Sequence, residues 1–335
     1  TVTNHYPGNT PGRSDEANFW KSFKYKNNEG FDIIVNTNKS CIIDNPIALK
    51  VMYVGEDYSA RIILRDTLTI SGGQGSQLSV SSPAIIASDD SGVPPDEEVT
   101  RRSLVVGGVD GSALFLWNAG TLENLVVGIG SGTGGASKMR VGAVAGLPPL
   151  SMNSTQINVT GSLQWVGQNV GTSQFSQVMP VCGILVNPGG TFTITSAGVT
   201  WGSPVSSALL GVVNRGTVAL NSTGTATLNG NYATYGGTIL DRGTLQLAGG
   251  EAEQGGGSFQ LLNDSTVAVT APGVALDIRD GLLIGSGTVQ GNLSVGNGPT
   301  GANTNPIVSP GSNDARVGAI TVTGDLQMYD GKVHV

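Results

Sequence analysis

From Thr67 onward the chain reads as short alternations of apolar and polar residues punctuated by Gly: LTIS, QLSVS, SLVVGG, LENLVVG, TFTITS, TVALNS, TLQLAGG, TVAVTAPG, NLSVGNG and AITVTGDLQM. A period of two sends successive side chains to opposite faces of a strand, so each run predicts one buried and one wet face. No stretch sustains a 3.6-residue period with a cap at both ends, so helices are not expected. The opening differs. Phe19, Trp20, Phe23, Tyr25 and Phe31 crowd together ahead of the strand-like runs FDIIV (31–35) and IALKVMYV (47–54). We read residues 1–66 as an aromatic-rich N-terminal cap with the first coils, and 67–335 as a strand-built body. Two segments read as loops standing off that body: 81–102, with Pro94–Pro95 among acidic residues, and 128–151, Gly-rich and ending at Pro148–Pro149.

A repeat organises the body. Two apolar residues, then Asn or Asp, a short turn, Thr and an alternating strand recur as LWNAGTLENL (116–125), LVNPGGTFTI (185–194), VVNRGTVAL (212–220), ILDRGTLQL (239–247) and LLNDSTVAV (261–269). The marker residues are Asn118, Asn187, Asn214, Asp241 and Asn263, spaced by 69, 27, 27 and 22, and 69 is three times 23. A unit of about 22–27 residues suits one coil of three short strands, which cannot bury its inner residues until neighbours stack on it. The fold class expected is all-β, a parallel β-helix (β-solenoid). The five marker residues are expected to form one structural corner ladder, since Asn and Asp tolerate left-handed backbone and bond the local chain. Calcium at these corners is the sharper alternative, but no copy is acidic enough for a calcium-binding repeat.

Composition agrees. Gly accounts for 51 of 335 residues and charged residues for 12%, against averages of about 7% and about 25%, which suits turns and strands rather than charged surface helices. A net charge of −7 with scattered Lys and Arg disfavours nucleic acid as a partner. No run is long and apolar enough for a helical membrane span. The opening TVTNHYPGNT reads as a mature product or a fragment. Cys41 and Cys182 suit either one long-range disulfide or two buried thiols.

The two ends resemble a known family. ANFWKSFKYKNNEGFDIIVNTNKSCIIDNPIALKVMYVGEDYSARIILRDTLTISGG is similar to the start of secreted bacterial β-solenoids. GTVQGNLSVGNGPTGANTNPIVSPGSNDARVGAITVTGDLQMYDGKVHV resembles the segment near the C-terminal end of autotransporter passengers and autotransporter-associated β-strand repeat proteins. The resemblance implies a parallel β-helix exported to the cell surface, extracellular, with a role in adhesion, matrix or envelope structure. One departure from the family pattern is that no membrane barrel follows VHV (333–335), so the chain is expected either to be a piece of something longer or to have its open end covered by a partner.

Chemistry is sparse. No GxSxG, HExxH or P-loop occurs, and His5 and His334 lie at opposite ends of the chain. Asp89, Asp90, Asp96, Glu97 and Glu98 offer oxygen ligands for calcium, with a solvated acidic loop as the plainer reading; no other cofactor is expected. Asp241–Arg242 with Asp277, Arg279 and Asp280 is the best set for polysaccharide cleavage, with surface ion pairs as the plainer reading. Trp117, Trp165 and Trp201 are expected to be packed inside. The function expected is a non-catalytic structural or adhesive surface protein that self-associates into a filament, lattice or matrix. Its partners would be copies of itself, other envelope or matrix components, or glycans. A polysaccharide-degrading lyase or hydrolase on the same scaffold is the alternative, and ice binding through a Thr-rich face is a third reading.

Overall fold

A computed structural model describes residues 24–26, 30–35, 40–43, 46–54, 61–71, 75–81, 83–89, 100–107, 113–130, 137–173, 182–202, 210–297, 304–311, 318–329 and 332–333. The described secondary structure is strand throughout, and the strands stack in parallel as a β-helix. The exception is a hairpin in which Lys24–Lys26 pairs antiparallel with Gly30–Val35. The chain divides into two compact units, 1–182 and 183–335.

In the first unit each coil contributes three short strands, and equivalent strands of successive coils pair in register. Gln77–Val80, Leu114–Trp117, Lys138–Val141 and Ser162–Trp165 form one stack. Leu114 faces Lys138 and Lys138 faces Ser162, a step of 24 residues each time. Alternation drives the inner residues into columns: Met52, Leu78, Phe115, Met139 and Leu163 lie one above another, all fully buried. The next inward column is Val54, Val80, Trp117, Val141 and Trp165. Trp117, Trp165 and, in the second unit, Trp201 are interior residues, as their setting in the alternation predicts. Each such side chain removed from water contributes about 1.5–3 kcal/mol.

The second unit has the same construction with tighter turns. Along one stack Thr217 faces Gly237, Gly237 faces Ser258, Ser258 faces Leu282 and Leu282 faces Ile307, steps of 20, 21, 24 and 25 residues. Strands run around corners here, so that Ala252–Val269 and Ala275–Gln290 each cover most of a coil with local register shifts. Gly257 (φ 68°) and Gly281 (φ 92°) occupy one such corner in adjacent coils, where a Cβ on either would collide with the backbone of the coil it stacks on. Part of the Gly excess is thereby explained. The inner column Phe192, Val218, Thr238, Phe259, Leu283 and Val308 is buried throughout. Its one polar member, Thr238, bonds the buried Tyr232 hydroxyl at 2.7 Å. Burial pushes that phenol above its ordinary pKa.

Several expectations change. Residues 128–151 are not one stand-off loop: Lys138–Val141 is a coil strand with Met139 and Val141 buried, and only the exposed turn near 143–149 stands out. Gly and Pro on either side hid a four-residue strand. Within 81–102, Ile85–Ser88 is likewise a coil strand, and 90–99 lie outside the described residues. Strands 40–43, 47–54 and 61–64 already belong to coils, whereas residues 1–23, which hold most of the expected cap, lie outside the described residues.

The five marker residues do not form one ladder. In the second unit Asn187 and Asn214 follow equivalent strands one coil apart, with the Arg215 N–H donating to Val186 C=O at 2.7 Å. Asp241 and Asn263 stand at a different turn, where Asn263 Nδ2 donates to Asp241 Oδ1 at 2.6 Å. Asn118 is in the first unit, its Oδ1 accepting from the Ala143 N–H of the next coil at 2.9 Å. Any corner between two inward-pointing strands produces the same apolar–Asn–turn–Thr text, so the text marks a corner without saying which. Of the five only Asn263 is left-handed, at φ 49°. Asn214 works through its side chain, buried and bonded to Thr234 Oγ1, Gly237 C=O and the Gly216 N–H.

Candidate functional site: a charged cleft on the second unit

The site grows from one stack of strands: Asn231–Thr234, 252–254, 275–278, Asn292–Val295 and Leu326–Met328. Tyr232, Ala252, Leu276 and Leu293 point inward and are buried. The next residue of each strand therefore points outward, giving the column Ala233, Glu253, Asp277, Ser294 and Gln327. Coils stack about 4.8 Å apart, so Glu253 and Asp277 are like charges placed directly opposite, an unfavourable pairing in a sheet.

Arg279 answers this repulsion. Two residues beyond Asp277 on the same strand face, its Nη1 lies 2.8 Å from Glu253 Oε2 and its Nε lies 2.8 Å from Asp277 Oδ2. The hydrogen bond to Asp277 raises the guanidinium pKa most, burial opposes it, and the charges of Glu253, Asp277 and Glu251 add to the rise. Glu253 moves the other way from a typical paired carboxylate. Loss of water raises its pKa, and the attraction of Arg279 offsets this only in part. Asp277 Oδ1 is buried without a donor.

Around this triad lies a cleft of about 300 Å³, whose polar walls include Glu251, Glu253, Asp277, Arg279, Ser294 and Gln327. Glu251 is held by Asn231 of the neighbouring coil, which donates to Glu251 Oε2 at 3.2 Å and accepts from the Glu251 N–H at 3.1 Å. Tyr235, 49% exposed, is not itself a wall of the cleft but stands beside Glu253. A Cβ on Gly255 would lie 2.6 Å from Tyr235 Cε1 and 3.2 Å from Glu253 Oε1, so ring edge and carboxylate are within about 6 Å. The missing side chain of Gly255 thus leaves the space that this ring occupies.

Asp277 and Arg279 come together here, while Asp280 caps the Gly281 N–H at 2.8 Å outside the cleft walls. Asp241 and Arg242 belong to a separate turn, with Asp241 bonded to Asn263. Glu251, Glu253 and Tyr235 were missed. The alternation of EAEQ marks both Glu residues as outward, but only the pairing shows what they face. Asp89 forms an ion pair with Arg65, while Asp90, Asp96, Glu97 and Glu98 lie outside the described residues, as do the side chains of Cys41 and Cys182. Among the described residues no group of three or more His, Cys, Asp or Glu is arranged to hold a metal ion, and no helix is long and apolar enough to cross a membrane.

A second outward surface of this unit has the opposite chemistry. Thr225, Thr244, Thr266, Thr288 and Thr321 form an in-register column, one per coil, over the buried column Ala226, Leu245, Val267 and Val289. Beside it run Thr227, Gln246, Ala268 and Gln290, also in register, with Ala268 buried among them. Neither column contains a charge. Comparison with known proteins finds no family model, no curated protein and no solved structure that matches this chain.

Proposed function

We propose that this chain is a non-catalytic structural and adhesive protein of the bacterial surface, exported and extracellular, that associates with copies of itself through the sides of its coils. The likeness of its two ends to autotransporter-type surface solenoids supports the location. The observation that carries the self-association is the charge-free Thr and Gln face on a rigid parallel stack. Its regular coil spacing is the same on every copy, and two such faces meet without like-charge repulsion. Two columns about 7 Å apart over four steps of about 4.8 Å span a few hundred Å² at most, less than the about 800 Å² per partner of a stable pair. Association is therefore expected to be weak singly and cumulative in an array. Sedimentation velocity over a wide concentration range tests this. The average mass should rise with concentration, and Thr266→Lys with Thr288→Lys should abolish the rise. A constant monomer mass at the highest concentration overturns the reading.

The cleft favours a second reading, a polysaccharide-degrading enzyme, because it places two carboxylates and a guanidinium on one outward face. Release of reducing or unsaturated ends from a polysaccharide panel, lost in Glu253→Gln, would support it; no release from any member would count against it.

A further inference from the structure

We infer that the cleft around Glu253, Asp277 and Arg279 is a glycan subsite that takes one uncharged or amino-bearing pyranose unit and turns away uronic acids. The inference rests on the adhesive reading above and gives it a ligand class. Three features carry it. The Tyr235 ring is half exposed beside Glu253, within about 6 Å of the carboxylate that lines the cleft, and its place depends on the missing side chain of Gly255. An aromatic ring that offers an apolar face beside fixed acceptors matches a sugar ring, which has C–H groups on its faces and hydroxyls around its edge. Second, the walls combine acceptor-only carboxylates with the donors of Arg279 and the mixed groups of Ser294 and Gln327, so adjacent hydroxyls find partners of both kinds. Third, the charge is unbalanced: Glu251, Glu253 and Asp277 face a single guanidinium already bonded to two of them. A carboxylate-bearing sugar would add a fourth negative charge, whereas an ammonium group would relieve the excess. A volume of about 300 Å³ is at the small end of ligand sites and suits one ring rather than an enclosed chain.

The full chain should be titrated calorimetrically with glucosamine tetramer, cellotetraose and tetragalacturonate, with spermidine as a cation lacking a sugar ring. Glucosamine tetramer should bind best, cellotetraose less tightly, and tetragalacturonate and spermidine at least about tenfold more weakly than the first. Tyr235→Ala should lower glucosamine-tetramer affinity up to about tenfold without changing charge. Gly255→Ala should do the same by displacing the ring. Tyr235 is exposed, so its variant is expected to fold, which circular dichroism will check. The inference is overturned if no tetramer binds, if tetragalacturonate or spermidine binds as well as glucosamine tetramer, or if Tyr235→Ala leaves affinity unchanged. Thr266→Lys with Thr288→Lys separates the two proposals. It should abolish self-association while leaving sugar binding intact.

Discussion

The two outward surfaces of the second unit are built from the same coils yet solve stacking in opposite ways. On the Thr and Gln face each coil repeats what the previous one placed there, and neutral neighbours stack about 4.8 Å apart without penalty. In the cleft, successive coils place Ala233, Glu253, Asp277, Ser294 and Gln327 at one position, and the charged pair needs Arg279 across it. The comparison teaches that the solenoid constrains its inward positions closely and its outward positions only locally. Repetition yields a uniform surface and its interruption yields a site. The parallel sheet, usually covered on both faces, is here buried on one side, which leaves the outer residues free to differ.

Four experiments break or sharpen this contrast, beginning with the largest effect. Phe259→Ala removes a fully buried ring on the strand that carries both Glu253 and Thr266 and should cost about 3–5 kcal/mol in denaturant unfolding, damaging association and cleft together. If one surface survives untouched, they do not depend on a common core. Gly281→Val forces a β-branched residue onto φ 92° against the backbone of the coil it stacks on. About 1–3 kcal/mol should be lost, and proteolysis should open the chain near the cleft before it reaches the Thr face. Thr266→Asp with Thr288→Asp places like charges opposite one another and should cost up to about 1 kcal/mol. Arg279→Met, which exposes the existing Glu253–Asp277 repulsion at a half-exposed site, should cost no more than that. Thermal melts of both at low and high salt check the pair, since salt should shrink both losses.

The smallest effect is in pH. Burial raises the Glu253 carboxyl, so the native state holds its proton more firmly than the unfolded chain does. The resulting stability is present below the unfolded value of 4.5 and is lost as pH rises through the higher native value. Glu253→Gln should therefore gain stability relative to the parent as pH rises from below 4.5 to neutral. Melting temperatures that diverge in the opposite sense would show that Arg279 outweighs desolvation.

Much of the fold was legible in the sequence. Alternation placed Leu78, Phe192 and Val218 inside, and the spacing of marker residues indicated a coil of the right size. The marker ladder failed because all corners are written alike, so 214 and 241 looked one coil apart although the coil partner of Asn214 is Thr234. The strand Lys138–Val141 was lost among Gly and Pro because four residues are too few to outweigh their flanks. Half of the cleft was visible as LDIRDG, in which Asp277 and Arg279 share a face. Their acidic partner was not, because it comes from another coil.

By itself the sequence determined the all-β class, the parallel stacking that such a repeat requires, the inward set, and corners where only Gly fits. Those properties depend on a residue and its immediate neighbours, through a period of two and the allowed backbone angles. The tertiary structure decided which outward residues meet. Glu253 reaches Asp277 over 24 residues, Asp277 reaches Ser294 over 17, and Ser294 reaches Gln327 over 33. Coil length varies with turns and insertions that the core tolerates, since only inward columns must stay in register. The neighbours across coils, and with them the cleft, exist only once the coils have stacked.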